Sequence, residues 1–440
     1  MSVVLGGLAL LAPIICLPLL LHPRLGIGVG IAAIFTLLIW ASPGNALGLT
    51  QVGDLTPVLG GSATSGVSLE LFFAVTAATV FAVIRRPERL PGRLVYYLPI
   101  LLSFALVAVM FARLPGSPAE SYGLHKLKLF LLLNIALLIA GLVVGTRRRD
   151  VNRSLALMLL VAVLAGLVLA HEILTGVQPL FEGRYAISNV QYDPIALGRL
   201  SAAGLLIALY VLFAPGSRFR LVAAVAAPLM TVSLLASGGR GSLLGVIAGL
   251  AVLFGVRSVF SVRPTMIAAA VAAALVIALT VVPGVASQRA TSLFLGGTEG
   301  RSSGGRTGLW TQALDAFVNH PLGGIGTGGF ASVDPLERYP HNLFLETASE
   351  LGIFGLVPLV GALAVGAWLI ANGIGRSKGG DRGLLTLIAA LFASAFTSAM
   401  FSTDISADYN VWLFLGLGVG MVARLDRRSP PTSLHDITAA

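Results

Sequence analysis

Apolar runs of about twenty residues recur along most of the chain, separated by short polar turns. A mostly uncharged run of that length crosses a bilayer as a helix, because it covers the hydrocarbon core and satisfies its own backbone polar groups. Runs begin near Val3, Gly26, Leu69, Leu94, Lys128, Ser154, Pro194, Leu221, Ser242, Thr265, Leu351, Leu384 and Val411. The pattern predicts an all-α polytopic membrane protein with about 12–13 transmembrane helices. Only Leu21-His22-Pro23-Arg24 separates the first two runs. The first, from Val3 to Leu21, has no basic n-region and no clear small-residue cleavage site, so it reads as a retained span.

The polar turns alternate in character. One set carries Arg24; Arg85, Arg86, Arg89 and Arg93; Arg147, Arg148, Arg149 and Arg153; Arg218 and Arg220; Arg257 and Arg263; Arg376, Lys378 and Arg382; and Arg424, Arg427 and Arg428. These nineteen of the 29 basic residues mark the cytoplasmic side by the positive-inside rule. The organisation expected is 1–236 as N-terminal spans, 237–360 as a core holding a long extracytoplasmic loop at 284–344, 361–423 as C-terminal spans, and 424–440 as a cytoplasmic disordered tail.

Composition agrees with this pattern. Of 440 residues 56% are apolar and 11% charged, and mean hydropathy is +0.91. Soluble domains carry about 25% charged residues, so a soluble enzyme and a disordered chain are both excluded. The net charge of +10 reads as cytoplasmic-side arginine and not as a nucleic-acid surface. The lone cysteine, Cys16, excludes an intramolecular disulfide and a cysteine metal cage. Arginine in excess of lysine, with abundant Ala, Gly and Val, suits a GC-rich bacterial genome.

The basic residues outside that set are Arg113, Lys126, Lys128, Arg184, Arg199, Arg240, Arg289, Arg301, Arg306 and Arg338. They run against the orientation rule. Arg113, Lys126 and Lys128 read as interface anchors that snorkel to the headgroups. Arg240 differs, because Ser237-Gly238-Gly239-Arg240-Gly241 is a very short link that holds the charge close to the bilayer, where charges are costly and usually functional.

The loop begins as a glycine-rich stretch and then turns periodic. Trp310, Ala313, Leu314, Phe317 and Val318 recur at helical spacing, with Gln312, Asp315 and Asn319 between them. This predicts an amphipathic helix ended by His320-Pro321, lying on the outer membrane face or packed on the span bundle. Gly323-Gly324-Ile325-Gly326-Thr327-Gly328-Gly329 matches neither a phosphate loop nor a dinucleotide fingerprint. It serves either as a tight re-entry turn or as a backbone cradle for an anion.

His341, in Tyr339-Pro340-His341-Asn342, stands where the loop meets the next helix. Its unperturbed pKa lies near neutrality, as a general base requires. Glu346 and Glu350 follow one helical turn apart, placed to orient an imidazole or to favour the helix N-terminus electrostatically. Guanidinium suits bidentate phosphate binding. No His, Cys or carboxylate cluster has metal-ligand spacing, so no metal and no cofactor is expected. Arginines holding a lipid diphosphate, with a histidine to deprotonate an acceptor hydroxyl, suit group transfer at the outer face without nucleotide.

Four elements in order carry a family resemblance: Ser237-Gly238-Gly239-Arg240-Gly241-Ser242-Leu243-Leu244, Gly305-Arg306-Thr307-Gly308-Leu309-Trp310, His320-Pro321-Leu322-Gly323-Gly324-Ile325-Gly326, and His341-Asn342 through Gly352. Together they resemble the signature of the O-antigen ligase and O-antigen polymerase superfamily, including an Arg followed four positions later by Leu and a His followed eleven later by Gly. The resemblance implies a metal-independent membrane glycosyltransferase of the bacterial inner membrane, active on the extracytoplasmic face. Such a protein moves a glycan from a polyprenyl-diphosphate donor, undecaprenyl diphosphate or a similar carrier, to a glycan, lipid or protein acceptor. Carried over by motif, Arg240 and Arg306 bind the diphosphate and His341 is the base. Arg184, with Asn189 and Asp193 in an earlier outer loop, is a further donor-site candidate, and Asn342, Glu346 and Glu350 are supporting residues. Arg289, Arg301 and Arg338 are weaker candidates, more readily read as solvated. Ligase and polymerase stay undivided at this level. A capsule, exopolysaccharide or wall-glycan role fits the residue usage better than lipopolysaccharide ligation.

The main alternative is a polytopic transporter or flippase for lipid-linked or polysaccharide substrates. It predicts mid-span charges and paired broken helices, whereas charges are few, with Glu172 beside His171 near a helix end, and no internal repeat is seen. The peptidoglycan polymerase family of similar architecture requires an outer-loop carboxylate. Asp334 and Glu337 are available, but their surroundings do not resemble that family.

Overall fold

The computed structural model describes residues 79, 83, 90–175, 194–214, 217–255, 301–334, 338–402 and 404–428. The runs beginning near Val3, Gly26 and Thr265, most of the run from Leu69, the C-terminal tail beyond 428 and Arg184 with its loop lie outside them. The described residues are helical, and no strand occurs among them. In chain order the helices are α1 (Leu94–Ala112, opened by a 3₁₀ turn), α2 (Glu120–Gly145), α3 (Arg148–Leu174), α4 (Pro194–Phe213), α5 (Arg220–Ala236), α6 (Arg240–Gly255), α7 (Arg301–Asn319), α8 (Leu343–Arg376), α9 (Gly379–Ala399) and α10 (Tyr409–Arg428). Seven of the described helices are long and apolar enough to cross a membrane, and α6 is a shorter apolar helix. The expected all-α polytopic membrane architecture is borne out.

The bundle is built by close backbone approach, which small residues permit where lipid-soluble helices gain little from hydrophobic contrast. Gly141 and Gly145 of α2 face Gly416 and Gly420 of α10, each pair spaced by four. A Cβ on Gly141 would stand 2.5 Å from the Leu413 carbonyl oxygen. α6 lies on α9 in the same way, with Gly245 against the Ser394 carbonyl. Leu160, Leu164 and Leu167 of α3, Val225 of α5 and Trp368 of α8 are exposed on the outside, as the lipid-facing surface of a bundle requires.

Ion pairs define one end. Asp426 at the end of α10 takes Arg93 (3.4 Å) and Arg376 (2.9 Å), and Asp381 at the start of α9 takes Arg148 (3.3 Å) and Arg424 (2.7 Å). These arginines all belong to the turns the positive-inside rule grouped together. The other end collects the close of α1, the start of α2, the α5–α6 link, the loop after α7, the start of α8 and the segment 400–408.

Candidate functional site

At this second end α5 stops at Ala236 and α6 starts at Arg240, so the chain reverses in three residues. Gly238 takes φ +61° there, a conformation glycine adopts without steric cost. The short link leaves Arg240 half-buried at the positive end of the α6 dipole. Across from it stands Arg306 of α7. Both arginines line one small cleft, closed by Ile195 of α4, the 238–242 backbone, Phe401 and Ser402. Two arginines 66 positions apart in sequence thus line the same space, and guanidinium groups favour an anion there.

Ser402, one wall of the cleft, is also held by an ion-paired arginine of α4. Arg199 donates to Asp408 Oδ1 (2.7 Å), to the Ser402 carbonyl (3.2 Å) and Oγ (3.1 Å), and to the Ala407 carbonyl (3.3 Å). Its placement against the orientation rule therefore has a local cause: it ties Ser402, Ala407 and Asp408 to α4.

His341 sits half-buried just before α8, with φ +55°. Histidine is among the non-glycine residues most tolerant of that region. Its ring meets Tyr339 edge-on with centroids 4.6 Å apart. The residues on either side tie it to the cleft walls. Trp310 Nε1 of α7 donates to the Pro340 carbonyl (3.0 Å), and the Trp310 ring lies 6.3 Å from that of Phe401. Asn342 caps α8, its Oδ1 accepting from the Phe344 and Leu345 N–H groups (3.1 and 3.0 Å) while its Nδ2 donates to the Met400 carbonyl (3.3 Å).

Glu346 and Glu350 are fully buried, with Lys126 of α2 between them. Lys126 Nζ donates to both Glu350 oxygens at 2.8 Å and pairs with Glu346. Glu350 Oε2 also accepts from Gly328 N (2.9 Å), and Glu346 Oε2 from Ile405 N (3.1 Å). Tyr122, one turn before Lys126, donates to Asp404 (2.9 Å), and Asp404 caps the 405–407 turn. The expectation that Lys126 snorkels to the headgroups is corrected: two carboxylates on an apolar helix need a buried countercharge, and Lys126 supplies it. Arg113 is also more than an anchor, since its guanidinium donates to the Gly323 and Gly324 carbonyls (2.8 and 2.9 Å).

Of the two roles open to the glycine-rich run, the structure takes the turn. The N–H groups of residues 324–329 are spent on protein acceptors: His320 O, Ser349 O, Glu350 O, Arg113 O, Glu350 Oε2 and Gly326 O. None is left to cradle an anion. The run lies in a notch of α8 created by Gly352, whose φ +62°, ψ −155° only glycine tolerates. There the Ile353 and Phe354 N–H groups turn to the Pro321 and Leu322 carbonyls (2.8 and 3.2 Å). The eleven-residue spacing from His341 to Gly352 is the length of helix between the loop junction and this notch.

α7 ends at Asn319, as His320-Pro321 predicts. Its Leu309 and Ala313 are buried with Phe330 and Leu345, so one edge packs on α8, while Leu314 and Val318 stay exposed. Arg338 is exposed, 6.0 Å over the Tyr122 ring. Arg301 opens α7, and Arg289 lies outside the described residues. Tyr122, Asp404 and Asp408 join the site beyond the residues the sequence singles out, and Arg199, one of the basic residues against the orientation rule, pairs with Asp408. The available signal was that two aspartates in a short link between apolar runs demand partners.

Arg240 and Arg306 line one cleft, and His341 stands at the loop–helix junction before α8. Residues 224–360 match the family model described as O-antigen ligase. The resemblance to the O-antigen ligase and polymerase superfamily is borne out over this stretch, which contains Arg240, Arg306, His341 and Gly352. The exopolysaccharide production protein ExoQ of Rhizobium meliloti (strain 1021) is 29% identical over 223 residues, covering 44% of this chain and 49% of that protein. The chain thus spans about half the length of that relative. A chain of the solved structure titled "Structural coordination of polymerization and crosslinking by a peptidoglycan synthase complex" aligns over 76% of this chain and 98% of its own, at 20% identity and a TM-score of 0.44.

Proposed function

We propose that this protein is a metal-independent glycosyltransferase of cell-surface polysaccharide assembly, which transfers or polymerises a glycan carried on a polyprenyl diphosphate at the extracytoplasmic face. The observation that carries the reading is the shared cleft of Arg240 and Arg306. Their guanidiniums hold the donor diphosphate and neutralise the charge that develops on the leaving group. His341 accepts the proton of the acceptor hydroxyl as it attacks the sugar carbon. The carrier diphosphate departs with the electrons of the broken glycosidic bond. Arg184 joins the donor site from the earlier outer loop. Asn342 holds the His341 junction through the α8 cap, and Glu346 and Glu350 hold α8 through Lys126. The O-antigen ligase match and the name of the ExoQ relative support polysaccharide assembly, and exopolysaccharide is the product class that name favours.

The test uses a deletion strain complemented with wild type or His341→Ala, followed by sizing of carrier-linked glycan and surface polysaccharide. Single repeat units accumulating on the carrier, with long chains lost, identify a polymerase. Long chains held on the carrier and absent from the surface identify a ligase. Pools identical to wild type reject the glycosyltransferase reading and favour the transporter alternative.

A further inference from the structure

The end of the bundle opposite the Arg240–Arg306 cleft carries a second cationic feature. Where α3 begins beside the close of α10, an open basin of about 810 Å³ is lined by Arg147, Arg148, Arg149, Arg153, Arg424 and Arg427. The proposed transfer chemistry uses none of them. The nearby carboxylate Asp381 is shared between Arg148 and Arg424 (3.3 and 2.7 Å), and Asp150 stands buried in the first turn of α3.

Arg424 separates this basin from an ordinary solvated arginine face. Its side chain is only 7% exposed, and its Nε and Nη1 have no hydrogen-bond partner. Buried donors left in that state are costly, and a charged one more so. An anion with several oxygens in the basin satisfies them. The α3 N-terminus points the same way: Arg147 is its extended N-cap residue, and no side chain caps it. The positive end of its dipole adds to the anionic preference, against the single first-turn carboxylate of Asp150.

The basin is not closed on all sides. Along α3, Arg149, Arg153 and Ala156 share a face with Leu160, Leu164 and Leu167, since each follows the last by three or four residues. Those leucines are 51, 47 and 53% exposed. A cationic pocket that runs onto a lipid-facing apolar stripe fits a molecule with a phosphate head and a hydrocarbon tail. We infer that this basin binds the phosphate headgroup of an anionic phospholipid, at the end the positive-inside rule assigns to the cytoplasm, with the acyl chain lying along Leu160, Leu164 and Leu167. Juxtamembrane arginines attract such lipids, and basic pockets between spans bind their headgroups.

The test is native mass spectrometry of the full chain in detergent, titrated with phosphatidylglycerol, with phosphatidylcholine, or with sodium pyrophosphate. Phosphatidylglycerol is expected to be retained in preference to phosphatidylcholine. Arg149→Gln/Arg153→Gln, on exposed and half-buried positions that fold readily, is expected to weaken its retention by roughly 25-fold, at about fivefold per arginine. Arg424→Met is expected to weaken it about fivefold, while Arg338→Gln at the other end retains it fully. Equal retention of both lipids, or undiminished phosphatidylglycerol binding in the double variant, overturns the inference. Pyrophosphate binding without any lipid preference overturns the lipid as the source of the phosphate.

Discussion

Lys126→Met removes the countercharge from the most deeply buried charge cluster at the site end of the bundle. Lys126 and Glu346 are fully inaccessible and Glu350 is 2% exposed, so water cannot replace the lost ammonium. The two carboxylates one turn apart on α8 then face each other in a medium of low dielectric. Each keeps only a backbone donor, Ile405 N for Glu346 and Gly328 N for Glu350. Breaking a buried pair by removing one partner costs about 3–5 kcal/mol. At about 2.1 cal/mol/K of unfolding entropy per residue, a chain of 440 residues loses roughly 3–5 °C of melting midpoint. The assay is the fraction of monodisperse protein surviving heating in detergent. Lys126→Met should melt lower by that amount, and Lys128→Met, a half-buried neighbour, should shift the midpoint little. The triple variant Lys126→Met/Glu346→Gln/Glu350→Gln should recover most of the loss, because a neutralised cluster no longer carries unpaired charge. An unchanged midpoint in the single variant, or a triple variant as labile as the single one, refutes the reasoning.

Gly352→Ala should be more disruptive than its size suggests, since an alanine Cβ would stand 2.4 Å from the Leu322 carbonyl and φ +62° is strained for any other residue. A loss of about 1–3 kcal/mol from strain alone is expected, read as reduced folded yield and a lower midpoint. Asn342→Ala removes the α8 cap and should cost about 0.5–2 kcal/mol of stability, with activity falling further than the stability loss explains if the His341 junction moves; an Asn342→Ser cap should restore stability. Arg306→Lys keeps the charge but loses the planar fork, so glycan transfer in complemented cells should fall with expression unchanged. Wild-type transfer by that variant removes Arg306 from the diphosphate site.

The helical spans and their alternation were legible in the chain because a bilayer imposes one requirement that sequence expresses directly: about twenty apolar residues with charges at the ends. The four motifs were legible too, since Arg240 opens α6, His341 precedes α8, Gly352 kinks α8 and Arg306 sits in a Gly-Arg-Thr-Gly stretch, and glycines or a proline mark each. Their meeting was not. Nothing in the local residues around Arg240 and Arg306 states that α6 and α7 open on one cleft, because that depends on how α4, α9 and the 400–408 segment pack between them. Lys126 was read by its neighbours as an interface anchor, and Glu346 and Glu350 as partners for a histidine. Only the packing of α2 against α8 puts the ammonium between the two carboxylates. The glycine-rich run is similar: its composition allows a turn or an anion cradle, and the acceptors that consume its N–H groups lie on α1 and α8 and in its own neighbourhood. Periodicity and composition report what each segment needs from its surroundings, whereas the identity of the partner is a property of the folded bundle.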